Sequence, residues 1–313
     1  MFGINNKETE MKKNNGKYDL AIMGNYTKDT IISPTGTRNV DGGGFNYGVH
    51  VGAMMGLKTA AITRLAEEDN HVVRNLEALG IDVYPYYCKQ STLMELYYPT
   101  TDVDNRILTM AGIADSFAPE HVAEIEAKIF MVNGSIRGEV DLDVLEVLKK
   151  KDTILVADVQ GFIRIVTAEG KLQYDSWPGK EAILSKIDVL KSDAVEAEAI
   201  TGETDIKKAA KALSDFGPKE IVLTHRDGLL VFADNKYYEA AFLPAELIGR
   251  SGRGDNCVSS YMAKRLSAHP EEAIIWSAAT TSLKMEAEGP ILRKMSEVQE
   301  LIDKKYGDYP TRS

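Results

Sequence analysis

From residue 18 onward, short apolar runs alternate with amphipathic ones, and this alternation restricts the fold more than any other feature of the chain. Residues 18–23 read as a strand, 48–55 as a helix, 59–63 as a strand and 70–79 as a helix, because the apolar period switches between two and 3.6 residues. The rhythm returns with strands at 129–133, 153–159, 189–190 and 220–224, and with helices at 142–149, 182–185, 196–200 and 206–216. Strands joined through helices pair in parallel. The expectation is therefore an α/β domain with a mostly parallel sheet and helices on both faces.

Two segments break the rhythm. Residues 30–40 and 91–117 carry β-branched and aromatic side chains with turn signals but no helical period, which predicts a small β lid inserted into a single domain spanning 18–313. Residues 229–232 and 236–242 read as a hairpin around Asp234-Asn235, and the C-terminal part is helical from Cys257 through Glu271 to Lys284 and again over 296–305. Residues 1–17 are polar and read as a loose leader, with Met11 as an alternative start.

The composition narrows the partners. A net charge of −10 and a pI near 5.2 oppose binding to nucleic acid or to an anionic membrane. No apolar run reaches the roughly 18 residues of a membrane span. Cys88 and Cys257 are the only cysteines, too few for a disulfide framework or a cysteine zinc site, so a cytoplasmic protein acting on a small molecule is expected.

Residues 248–258, Ile-Gly-Arg-Ser-Gly-Arg-Gly-Asp-Asn-Cys-Val, carry the chemistry. Gly252 and Gly254 stand where a loop meets a helix, so backbone N–H groups without helical partners converge on one spot that the helix dipole makes favourable for an anion. Asp255 sits inside that anion hole, where a carboxylate is either a helix cap or a group placed to accept a proton.

Here the chain resembles the ribokinase family, the phosphofructokinase-B type of carbohydrate kinases, over roughly residues 18–300. Gly252-Arg253-Gly254-Asp255 is similar to the family's second signature, and the resemblance implies that Asp255 is the catalytic base while Gly252, Arg253 and Gly254 hold the transferring phosphoryl group. The run Asp41 to Gly48 resembles the first signature. That implies sugar contacts at Gly43 and Asn46, with Asp29, five residues after Gly24, binding a sugar hydroxyl. Asp193-Ala194-Val195-Glu196 resembles the motif that supports Mg²⁺ and its waters, and Thr224 with Gly228 falls where the family has its nucleotide-binding turn, so ATP and Mg²⁺ are the implied cofactors. The segment 158–164, with 282–286 and Gly289-Pro290, looks like a branch that includes inositol and keto-sugar-acid kinases, and it makes Arg164 a candidate substrate contact.

The departures are specific. Asp193 stands for the usual Asn, and Gly249 stands where the family has an Asp, which questions activation by a monovalent cation. The nucleotide turn is one residue short and carries His225 and Arg226, and Asn46 falls one position early. The expected activity is ATP-dependent phosphorylation of a hydroxyl on a small sugar, polyol or sugar acid. Arg38, Arg164, Arg250 and Arg253 tilt the expectation toward an acid. A nucleoside kinase would share the catalytic residues, whereas a non-catalytic sugar-binding relative would have no use for Asp255. A nicotinamide-dependent oxidoreductase is disfavoured because no Gly-x-Gly-x-x-Gly follows the first strand. The lid is also a candidate homodimer surface.

Overall fold

A computed structural model of the protein describes residues 17–100, 106–309 and, for the backbone, 311–312. The leader apart from Lys17, and residues 101–105 of the second inserted segment, lie outside the described residues. The N-terminal strands are β1 (Tyr18–Met23), β2 (Thr27–Ser33), β3 (Gly36–Gly42), β4 (Thr59–Ala66), β5 (Asp82–Cys88), β6 (Thr92–Tyr97) and β7 (Ile107–Gly112). They are followed by β8 (Ala127–Val132), β9 (Ile154–Asp158), β10 (Arg164–Val166), β11 (Leu172–Tyr174) and β12 (Val189–Asp193). The last four are β13 (Glu220–Thr224), β14 (Gly228–Ala233), β15 (Lys236–Ala241) and β16 (Thr311–Arg312). The helices are α1 (Gly44–Met54), α2 (His71–Ala78), α3 (Glu120–Ala123), α4 (Leu142–Lys149), α5 (Gln160–Ile163) and α6 (Lys180–Leu184). After them come α7 (Ala194–Thr201), α8 (Ile206–Ser214), α9 (Arg253–Arg265), α10 (Pro270–Met285) and α11 (Met295–Lys305).

Ten strands form one sheet in the order β16-β15-β14-β13-β12-β9-β8-β1-β4-β5. From β5 to β13 every pairing is parallel, and the three at the β16 edge are antiparallel. Strand β1 shows why: Leu20 and Ile22 pack into one apolar layer, Ala21 and Met23 into the other, and all four are fully buried. Val49 of α1, Val258 of α9 and Ala278 of α10 join the first layer, whereas Leu145 of α4 and Leu213 of α8 join the second. Helices thus cover both faces, as a parallel sheet requires. Among the described residues no helix is long and apolar enough to cross a membrane.

Chain order runs from β1 outward to β4 on one side, and β8 then returns to the other side of β1. The switch point lies where these two strands end, the usual place for a ligand crevice in an open α/β sheet. Gly24 and Asn133 leave side by side there, with Asn133 N–H donating to the Met23 carbonyl at 2.8 Å. The buried Glu139 carboxylate ties both exits together by accepting the N–H groups of Asn25 at 2.6 Å and Ser135 at 2.8 Å.

A separate four-stranded sheet, β3-β2-β6-β7, comes from the two irregular segments, but it begins at Thr27 and ends at Gly112. Other boundaries differ from the sequence expectation for local reasons. Helix α1 starts at Gly44 and α9 at Arg253, both earlier than apolar periodicity reveals, because glycines mask the first turn. The C-terminal helical stretch is broken before Pro270, which opens α10 as a residue that needs no N–H partner. Strand β5 was hidden by Pro85, tolerated because this strand lies at the sheet edge. The hairpin of β14 and β15 turns through Asp234 and Asn235 with φ of 52° and 58°, as expected for the turn type that matches strand twist.

Candidate active site

Helix α9 begins at the switch point. Its N-cap Gly252 has φ 73°, and a Cβ there would stand 2.2 Å from the Tyr47 ring, so glycine is required both for conformation and for space. Helix α1 meets it from the other side: a Cβ at Gly44 would stand 2.5 Å from Asp255 Oδ1, and one at Gly48 2.6 Å from Ser259 Oγ. Small residues on α1 thereby let two helix N-termini converge around one carboxylate. Asn133 Nδ2 donates to Asp255 Oδ1 at 3.4 Å. Burial raises the pKa of Asp255, and the cations of Lys191 and Arg164 oppose that rise.

Beneath the first turn of α9 lies an ion cluster. Lys191 Nζ is 3.0 Å from Asp158 Oδ2 and 3.7 Å from Glu196 Oε2, and Arg164 is 3.7 Å from Glu196 Oε1. Burial opposes the charge on Lys191, yet the surrounding carboxylates, Asp158 and Glu196 foremost, outweigh it and raise its pKa. A Cβ on Gly254 would stand 2.9 Å from Lys191 Nζ, so the ammonium lies directly behind the loop that presents its amides. Lys191 was not singled out from the sequence, although a lysine inside an apolar parallel strand is a visible anomaly.

The cluster opens into a cavity of about 400 Å³ whose wall carries six cations: Arg106, Arg164, Lys191, Arg226, Arg250 and Arg253. Arg253 is pulled down to about 10, first by burial and then by repulsion from Arg250. Such crowding is relieved by a bound anion. Gly252, Gly254, Asp255, Thr224, Asp193 and Glu196 also line this cavity. Gly228 does not: it lies in β14, where a Cβ would stand 2.3 Å from the Ala240 carbonyl, and its own carbonyl accepts from His225 N–H at 2.9 Å. Arg164 lies on this side as well, away from the second cleft described below.

Asp193 and Glu196 cap helix α7 reciprocally, each side chain accepting the other's backbone N–H at 2.8 Å. Burial pushes the Glu196 carboxyl up to about 7, against the pull of Lys191. Among the described residues no group of three or more histidines, cysteines or carboxylates is assembled as a metal cage. The cap leaves Asp193 Oδ2 and Glu196 Oε1 outside its bonds, and this donor set fits Mg²⁺, which keeps several waters and binds through one or two carboxylates plus substrate phosphates.

A second cleft of about 250 Å³ opens between the small sheet and residues 248–251, lined by Asp29, Arg38, Tyr47, Arg250, Lys284 and Glu288 among others. Arg250 lines both spaces, which makes them two ends of one crevice. The glycine run joins their carboxylates, since a Cβ at Gly42 would stand 2.4 Å from Asp29 Oδ2 and Gly44 touches Asp255. Burial pushes Asp29 up to about 7. Arg38 and Glu288 are paired with each other. Gly43, at φ 96°, turns the chain into α1 with its Cα against the Asn25 carbonyl and does not line the cleft. Asn46 is also elsewhere: its amide donates to the Asp41 carbonyl at 3.0 Å, beside a separate small cleft with His50 and Pro290. Starting α1 at Gly44 rotates position 46 away from the crevice.

Comparison with known proteins gives a consistent pattern. A family model described as pfkB family carbohydrate kinase matches residues 21–296. A cytidine kinase of Thermococcus kodakarensis is 26% identical over 269 residues, 82% of this chain and 92% of the relative. A pyrophosphate-dependent kinase in the ribokinase family, solved with a pyrophosphate analog and myo-inositol, is 32% identical with a TM-score of 0.83, over 90% of this chain and 99% of that one. Arabidopsis thaliana ribokinase, solved with ribose and ATP, shares the fold at 18% identity and a TM-score of 0.73, over 92% of this chain and 99% of that one.

Proposed function

Because the chain belongs to the pfkB family of carbohydrate kinases, we propose that it transfers a phosphoryl group from pyrophosphate to a hydroxyl of a neutral cyclic polyol of the inositol type. The six-cation cavity carries this reading. Among the described residues only Ala194 and Val195 bring apolar side chains to its wall, whereas a nucleobase is usually held by an apolar slot. Five guanidinium groups and one ammonium around a small volume suit a compact polyanion, which Arg grips through paired hydrogen bonds. The 32% identical relative described as pyrophosphate-dependent supports the same donor. ATP, implied by the family resemblance, is the alternative.

Of the four arginines that suggested an acid, Arg38 is paired with Glu288, Arg164 and Arg253 line the donor cavity, and Arg250 stands between the two spaces and lines both. A neutral polyol fits what remains. Asp255 accepts the proton of the attacking hydroxyl, while the first amides of α9, with Lys191 behind them and Arg253 beside them, receive the charge that develops on the transferred group. Asp193 and Glu196 would hold Mg²⁺ against the donor, where it neutralises phosphate charge. The small sheet acts as a lid that keeps water from the acceptor cleft. Its exposed Tyr97 and Ile107 support a homodimer through the same sheet, an assignment that a monomer mass in sedimentation would remove.

With myo-inositol as acceptor, kcat/KM for pyrophosphate should exceed that for ATP by about tenfold or more, the scale of one displaced charge-assisted contact. The reverse ranking returns the donor to ATP, and a higher kcat/KM with cytidine than with any polyol moves the acceptor to a nucleoside. Glu196→Gln keeps the cap, since Gln also serves in a capping box, but removes the charge. The Mg²⁺ concentration for half-maximal rate should rise by about tenfold, with acceptor KM changing by less than about twofold. An unchanged Mg²⁺ dependence would confine Glu196 to capping.

A further inference from the structure

The acceptor cleft holds polar groups that the fold has buried without completing their hydrogen bonds. Lys284, on α10, is 2% exposed, and its ammonium donates to the Gly249 carbonyl at 3.1 Å, one of the three bonds such a group can make. It stands 5.5 Å above the centre of the Tyr47 ring. Tyr47 Oη and Asp29 Oδ1 are buried in the same cleft without a hydrogen-bond partner among the described residues. Orphaned groups of this kind carry a desolvation cost that a well-matched ligand removes.

We propose that Tyr47 and Lys284 are acceptor contacts that set specificity, the ammonium and the phenol each bonding an oxygen of the polyol ring while Asp29 accepts from a third hydroxyl. Three chain segments remote in sequence, 29, 47 and 284, supply a donor of positive charge, a two-way hydroxyl and an acceptor to one space. Vicinal hydroxyls on a ring answer all three, because each hydroxyl both donates and accepts. The assignment rests on reading this cleft as the acceptor end of a kinase crevice.

Two variants test it. Lys284→Met fills similar space without the charge and should raise acceptor KM by about ten- to hundredfold, with donor KM within about twofold. Tyr47→Phe removes only the unpartnered hydroxyl, keeps the ring against Gly252, and should raise acceptor KM by about three- to tenfold. Lys284→Arg should recover part of the first loss, which a packing role would not predict. If Lys284→Met fails to fold, the tyrosine variant decides alone.

Calorimetric titration with myo-inositol and related polyols, in the absence of any donor, separates this assignment from the kinase reading. Wild type that binds a polyol more tightly than both variants, yet transfers no phosphoryl group, leaves the pair in place and removes the activity. Wild type that turns over, with variants whose acceptor KM and polyol affinity stay within about twofold of its own, removes the pair and keeps the activity. No polyol binding by wild type removes both.

Discussion

Asp255→Asn is expected to lower kcat by roughly 10² to 10⁴, the usual worth of a positioned general base, while fold and donor affinity stay nearly unchanged. The amide has the shape of the carboxylate, and the site loses a buried charge that α1, α9 and Asn133 enclose. Removing that charge also removes a desolvation cost, so the thermal midpoint should hold or rise. The pH profile gives an independent reading. Burial lifts the Asp255 pKa above the ordinary aspartate range, so the acid limb of kcat/KM should lie above that range, with activity lost as pH falls through the raised value. The residual activity of the variant should lack this limb. Retention of more than about a third of wild-type kcat would take Asp255 out of the proton-accepting role.

Lys191→Met should be the most damaging single change to stability, costing about 3–5 kcal/mol, because it leaves two carboxylates buried beside an apolar group. Asp158 and Glu196 are each 1% exposed and lie 3.0 and 3.7 Å from the ammonium. Stripped of the cation, both carboxyls would bind protons more tightly folded than unfolded. Lowering the pH from neutral through their raised pKa values should then restore stability to the variant, opposite to the usual acid response. Urea unfolding at several pH values measures both effects. A variant within about 1 kcal/mol of wild type at neutral pH would show that water or Arg164 replaces the lysine.

How much of this was legible in the sequence follows from how local each signal is. Central strands such as β1, β8 and β13 bury both faces and read as continuous apolar runs. Edge strand β5 mixes tyrosines with a proline, and the three-residue strands β10 and β11 are too short for any period, so none of the three was visible. The glycine-rich first turn of α9 was legible because Gly252, Gly254 and Asp255 lie within four residues of one another. Capping likewise joins Asp193 to Glu196 across three. Lys191, Asn133, Tyr47 and Lys284 matter through contacts with segments tens to hundreds of residues away, which no spacing encodes. Asn46 and Gly228 lie away from the two larger clefts, because helix phase and hairpin register decide where each faces.

The barrier between the two ends of the crevice is one aromatic ring thick. Tyr47 faces the cleft beside the small sheet with one part of its surface and bears on Gly252, the N-cap of α9, with another. Position 47 is therefore not free to drift in response to acceptor preference alone. A smaller side chain would leave the Gly252 turn unsupported, and a bulkier one would displace the first amides of α9. Changes of cleft shape are more accessible through the small sheet, whose Asp29 and Arg38 line the same space from the opposite side.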